Sequence, residues 1–210
     1  MTTVCFSRDF GEEDISERAA QTFAKFRGDA ESDPILFWPS IPGELDALPS
    51  SSSAPSLNVS LREADISDAP RIAGLRDDFT TRKAHEWIEM HKNSKRPLWV
   101  AQISDRCIVG YFSLLGFSER QGWERTAEIQ VLVGHSWRGN RIGSKLLEHA
   151  LDCAPSMGIE QMLTFVRMDD AVAQTLFRAR RFEQWGGLPG VLRSPLGRPH
   201  DVMLLGRAIS

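Results

Sequence analysis

The sequence predicts an α/β domain (α+β in some schemes) of seven strands and four helices, preceded by an N-terminal helical arm. Three observations predict it. Strand-like and helix-like stretches follow one another from residue 57 to 207 in the order β-α-α-β-β-β-α-β-α-β-β, which neither an all-helical nor an all-β domain produces. Within that run, Glu128 to Leu151 reads as strand, short polar turn and helix. The chain of 210 residues is long enough for one well-buried domain with an appendage.

Residues 1–56 read as the appendage. Glu12 to Arg27 has Ile15, Ala19, Phe23 and Phe26 at helical spacing, acidic residues at its start and Gly28 at its end. Phe37 and Trp38 lie in a short apolar patch between Pro34 and Pro39. Ser40 to Ser56 is rich in Ser and Pro, the composition of a linker or an irregular wrap. The arm is expected to pack its aromatic residues on the main domain, which spans 57–210, with a lid over the substrate or a partner-binding segment as the second reading.

In the main domain, Leu57 to Leu61 alternates as a first strand. Asp65 to Leu75 is a helix with Asp65 or Ser67 as cap, and Thr80 to Lys92 is a second helix. Leu98–Ile103 and Cys107–Phe117 form a hairpin over Ser104-Asp105-Arg106, and Trp123 to Val133 is the next strand. A helix from near Asn140 to Gly158 carries Ile142, Leu146, Leu147, Ala150 and Leu151 on one apolar stripe. Gln161–Arg167 is a buried strand and Asp169–Arg181 a helix. Phe182–Trp185 and Asp201–Arg207 are the last strands, joined by a loop rich in Gly, Pro and Arg.

Bulk properties exclude several classes. A net charge of -3 and a pI near 6.0 leave no basic footprint for nucleic acid. No apolar run is long enough to span a bilayer, and no signal peptide is expected, since Met1 to Phe10 lacks a positive start followed by an apolar core. The cysteines Cys5, Cys107 and Cys153 are odd in number and far apart, which points to a reducing cytoplasm and small core side chains. His85 and His91, in His85-Glu86-Trp87-Ile88-Glu89-Met90-His91, are six residues apart. On a helix that puts them on different faces, so no metal site is expected, only a polar helix face.

The chemistry concentrates around the strand and turn at 128–144. In Glu128-Ile129-Gln130-Val131-Leu132-Val133, Glu128, Gln130 and Leu132 share one face. A carboxylate in mid-strand is costly unless it lines a wet cleft. The turn that follows holds Arg138, two glycines and a helix start. Unpaired N–H groups and the helix dipole make such a place attractive to anions.

Arg138-Gly139-Asn140-Arg141-Ile142-Gly143 resembles the R/Q-x-x-G-x-G/A pyrophosphate loop of the GCN5-related N-acetyltransferase (GNAT) superfamily, with Arg141 in place of the first glycine. Downstream, Asp170 to Phe182 is similar to that family's N-x-x-A-x-x-L-Y-x-x-x-G-F. Ala173, Leu176 and Phe182 match, whereas Asp170 replaces Asn, Phe177 replaces Tyr and Arg181 replaces Gly. The resemblance covers about 57–207. It implies a GNAT fold, a mixed central sheet of about seven strands with helices on both faces. It also implies acetyl-CoA as co-substrate, with no metal. The main chain of Val131, Leu132 and Val133 would then hold the pantetheine. Arg138, Gly139, Asn140, Arg141, Ile142, Gly143 and Ser144 would cradle the pyrophosphate, and Asp170 would meet the CoA arm. Glu128 is the candidate base. The expected reaction is direct acetyl transfer in a ternary complex to a primary amine, on a small molecule or a peptide or protein. Neither nucleic acid nor membrane is an expected partner, and the chain is expected as a monomer or homodimer. A second reading, an acetyl-CoA-binding module with weak or no catalysis, is favoured by Phe177, which cannot donate a proton to a departing thiolate.

Overall fold

The computed structural model describes residues 58–76, 79–94, 96–104, 107–194 and 196–209. The arm at 1–56, the start of the first strand at Leu57, and the turn residues Asp105 and Arg106 lie outside the described residues.

One seven-stranded sheet organises the chain: β1 (Ser60–Glu63), β2 (Leu98–Ser104), β3 (Cys107–Gly116), β4 (Thr126–Val133), β5 (Gln161–Arg167), β6 (Glu183–Arg193) and β7 (Pro199–Ala208). Their order is β1-β2-β3-β4-β5-β7-β6. Only β4 and β5 run parallel, so the sheet is mixed. The helices are α1 (Ala69–Ala73), α2 (Thr81–Lys92), α3 (Ile142–Cys153) and α4 (Ala171–Arg178).

The alternation of β4 divides the core. Ala127, Ile129 and Val131 face α3 and α4, where Ile142, Leu146, Leu147, Ala150 and Phe177 complete one cluster. On the opposite face, Ile72 of α1 and Ala84, Trp87 and Ile88 of α2 pack on Leu98, Val100 and Tyr111. Each such large apolar side chain contributes roughly 1.5–3 kcal/mol on burial. His91 is 2% exposed and belongs to this buried side of α2, so the expected polar face reduces to His85 and its exposed neighbours.

Several boundaries differ from the sequence reading. The first strand is displaced to Ser60–Glu63. The first helix opens as a 3-10 turn, Ile66–Asp68, capped by Asp65, because buried Asp68 accepts the Asp65 N–H and binds Arg62 through both oxygens. Trp123 belongs to the turn before β4, where it packs on Phe117 with ring centroids 4.9 Å apart. The expected loop at 186–200 is mostly strand. β6 is an edge strand, Pro189 and Gly190 fall in the irregular stretch between Leu188 and Leu192 where no residue has a register partner, and a second shift takes up Trp185.

Candidate acetyl-CoA site

The central feature is a fork in the sheet. β4 pairs with β5 only at Thr126–Gln161, Ala127–Met162 and Glu128–Leu163. Beyond Glu128, β4 stays paired to β3 as far as Val133, and β5 stays paired to β7 as far as Arg167. The facing edges of the two parallel strands therefore part, and alternate main-chain groups of 129–133 point into the opening. Unpaired strand edges are hydrogen-bonding templates, which suits an extended ligand with amide groups.

The wide end of the fork meets the turn before α3. Gly134 begins a 3-10 turn, His135–Trp137, and Arg138 returns to extended backbone. Gly139 has φ 80° and Arg141 φ 58°, both left-handed. Asn140 ties the loop by donating from Nδ2 to the carbonyls of Trp137 (3.1 Å) and Arg138 (3.2 Å). The first helical bond runs from Lys145 N–H to the Arg141 carbonyl, and no side chain caps the helix. The N–H groups of Ile142, Gly143 and Ser144 are thus left for an anion, beside the exposed side chains of Arg138 and Arg141. Helix α3 begins two residues later than expected because Arg141 takes the left-handed conformation that the glycine of the pattern would take. Gly143 has a packing role: a Cβ there would meet Leu176 Cδ2 at 3.3 Å and Val133 Cγ2 at 3.7 Å. Its missing side chain faces α4.

The narrow end of the fork holds Glu128, only 5% exposed. Burial pushes its carboxyl up to about 7, although Gln130 Nε2, which donates to Oε1 at 3.1 Å, pulls the other way. Leu115 of β3 and Leu163 of β5 flank it in register. Their apolar side chains are the local reason the charged form is disfavoured. Gln130 is the residue that sequence reasoning placed on this face without giving it a role; the Glu-x-Gln alternation is the signal for it.

Helix α4 carries the second motif. Asp170 is its N-cap, with Oδ1 accepting from Ala173 N–H at 2.9 Å. Phe177 is buried against Phe182, edge to face, with centroids 5.1 Å apart. Arg181, where the pattern has glycine, has φ 61°. Tyr111, the chain's one tyrosine, is buried under Trp87 and reaches Arg76 through its hydroxyl at 3.4 Å. His135 is exposed. Among the described residues no group of three or more His, Cys, Asp or Glu gathers as a metal site. No helix among them is long and apolar enough to cross a membrane.

A forked mixed sheet with an uncapped, cationic helix start at its open end defines an acyl-CoA-binding fold. Residues 60–182 match the Acetyltransferase (GNAT) family, and the chain belongs to it. It is 33% identical over 125 residues to "Putative phosphinothricin acetyltransferase YwnH" of Bacillus subtilis, covering 60% of this chain and 76% of that protein. It is 26% identical over 148 residues to an L-methionine sulfoximine/L-methionine sulfone acetyltransferase of Pseudomonas paraeruginosa, covering 64% and 86%. The structure of a GNAT superfamily phosphinothricin acetyltransferase from Sinorhizobium meliloti, solved with acetyl-CoA, has the same fold. Its TM-score is 0.67 at 20% identity, over 72% of this chain and 89% of that one. The chain is an acetyl-CoA-dependent acetyltransferase, with acetyl-CoA as co-substrate.

Proposed function

We propose that the protein transfers the acetyl group directly to the primary amine of a small amino-acid-like acceptor, with Glu128 as general base. The observation that carries this is the buried Glu128 at the vertex of the fork, held at about 7, where a carboxyl both accepts and releases a proton near neutral pH. The names of two relatives, which specify phosphinothricin and L-methionine sulfoximine, support the acceptor class, since both compounds are α-amino acids.

Acetyl-CoA supplies the activated thioester. The main chain of Val131, Leu132 and Val133 hydrogen-bonds the pantetheine along the free edge of β4, and an N–H in that stretch stabilises the carbonyl oxygen as charge develops on it. Arg138 to Ser144 hold the pyrophosphate. Asp170 keeps Oδ2 for the CoA arm while Oδ1 caps α4. Glu128 takes the proton from the attacking amine, directly or through water. Phe177 has no proton to give, so the sulfur leaves as thiolate, which a thiol of pKa near ~8.5 permits. A thiol-release screen with acetyl-CoA and α-amino acids tests the reading. Turnover with an amino acid, abolished when its α-amine is acetylated beforehand, supports it. Turnover restricted to protein lysines or polyamines overturns the acceptor class.

A further inference from the structure

Next to Glu128, on the same face of the sheet, lies a row of polar groups that the reaction above does not use. Ser113 of β3 is in register with Gln130 of β4 on one side and with Leu98 of β2 on the other. It is 0% exposed, and its hydroxyl has no hydrogen-bond partner among the described residues. His91 of α2 covers the same level. Its Nδ1 lies 2.7 Å from the carbonyl of Arg96, two residues before Leu98. One turn earlier on α2, Trp87 covers Tyr111, two residues before Ser113.

A carbonyl only accepts, so His91 Nδ1 carries the proton and Nε2 is a bare acceptor. That Nε2 is buried and also has no partner among the described residues. Burial holds the ring neutral, pushing its pKa down. The third atom of the row is Gln130 Oε1. Its amide nitrogen is committed to Glu128, and the oxygen makes no hydrogen bond among the described residues. Two acceptors, on buried His91 and half-buried Gln130, and one hydroxyl donor on the same face are the complement that one water would satisfy, donating to His91 Nε2 and Gln130 Oε1 and accepting from Ser113.

We propose that Ser113 and His91 are positioning residues for the general base: through one shared water they fix the Gln130 amide with its nitrogen toward Glu128. This rests on Glu128 being the base. The other groups facing Glu128 in register are Leu115 of β3 and Leu163 of β5, both uncharged. Of the titratable groups beside this row, His91 and Tyr111 pack on either side of Trp87, and the guanidinium of Arg96 reaches over Gly116, which follows Leu115: a Cβ there would meet its Nη1 at 2.8 Å.

The test is Ser113→Ala, with melting temperature and the pH profile of kcat/KM both measured. A hydroxyl that holds the water is missed when removed, so Tm should fall by about 2–4 °C. A hydroxyl that bonds nothing is better replaced by a methyl, so Tm would hold or rise. With Gln130 freed, Glu128 loses its donor, and the acid limb of the profile should move up. The rate below that limb should fall roughly 3–10-fold, while acetyl-CoA affinity stays. His91→Leu should reproduce the shift and His91→Gln, which restores an acceptor, should rescue it. In a Glu128→Gln background, Ser113→Ala should change the residual rate no further. An unmoved profile with an unchanged or higher Tm overturns the proposal. Wild-type turnover in Glu128→Gln would instead overturn the base assignment, and the sign of the Tm change would still judge the water-holding row by itself.

Discussion

Replacing Glu128 by Gln should make the protein more stable and less active at the same time. The carboxyl is held at about 7 against an ordinary 4.5. A carboxylic acid whose folded pKa is raised binds more protons folded than unfolded. Its neutral form costs nothing below about 4.5, and stability is lost as pH rises from there through 7. The gap corresponds to roughly 3 kcal/mol at alkaline pH. The amide introduced by Glu128→Gln keeps the shape without the charge, so the variant should gain about that much at pH 8 and little at pH 4. For a chain of this size that is roughly 6–12 °C in Tm. Turnover should fall by roughly 10²–10⁴-fold, the usual worth of a general base, with acetyl-CoA binding intact. Thermal unfolding at pH 5, 6.5 and 8, with kcat/KM at each pH, reads both effects. A Tm difference between variant and wild type that does not grow with pH would refute the burial argument. Near-wild-type turnover from pH 6 to 9 would remove Glu128 from the chemistry.

Three further outcomes follow from the site. Arg141→Gly relieves a left-handed residue that costs about 1–2 kcal/mol and adds about 0.5–1 kcal/mol of glycine flexibility. Thermal unfolding should therefore show a small gain, while calorimetry shows weaker CoA binding from the lost cation; a lower Tm would contradict the backbone reasoning. Gly143→Val presses branched methyls on Leu176 and Val133. It should cost about 1–3 kcal/mol by overpacking and weaken CoA, both measurable by denaturant titration and calorimetry, and unchanged values in both would remove Gly143 from the cradle. We also propose that Phe23, Phe26, Phe37 and Trp38 dock the arm, each worth roughly 1.5–3 kcal/mol if buried. A chain beginning at Ser56 should then melt lower, and equal stability with equal turnover would make the arm a tether.

What was legible in the sequence was what periodicity and short motifs encode. The apolar stripe at Ile142, Leu146, Leu147 and Ala150 marked α3, and those side chains are the ones buried against β4. The alternation from Glu128 to Val133 placed Glu128 on the face away from α3. Less was legible where tertiary context decides. Glycines and Pro189 suggested a loop after Trp185, because nothing local says that β6 lies at the sheet edge, where such residues are tolerated. The burial of His91 depends on which side of α2 meets the sheet, a choice made by Trp87 and Ile88. The role of Gly143 needed the position of Leu176 from another helix. The resemblance put the pantetheine on the main chain of Val131 to Val133, but the gap between β4 and β5 that opens this edge leaves no mark in residue type.

That divergence also has a mechanical side. The sheet is two plates, β1 to β4 and β5-β7-β6, riveted at three residue pairs near one corner. Away from that corner they are joined on the helix side by one apolar cluster, in which Ile129 and Val131 of the first plate and Met162, Val166 and Leu205 of the second pack with Leu147 and Phe177. A force that pulls the plates apart acts with the length of the strands as its lever, and the rivets sit at the fulcrum, beside Glu128. On the proposed reading, a long ligand hydrogen-bonded along the seam would follow the free margin of the first plate and end at the start of α3, which packs on that same plate through Val133 and on α4 through Leu176. On that reading the co-substrate would stiffen the open side of the seam, while the apolar cluster holds the helix side whether or not it is bound.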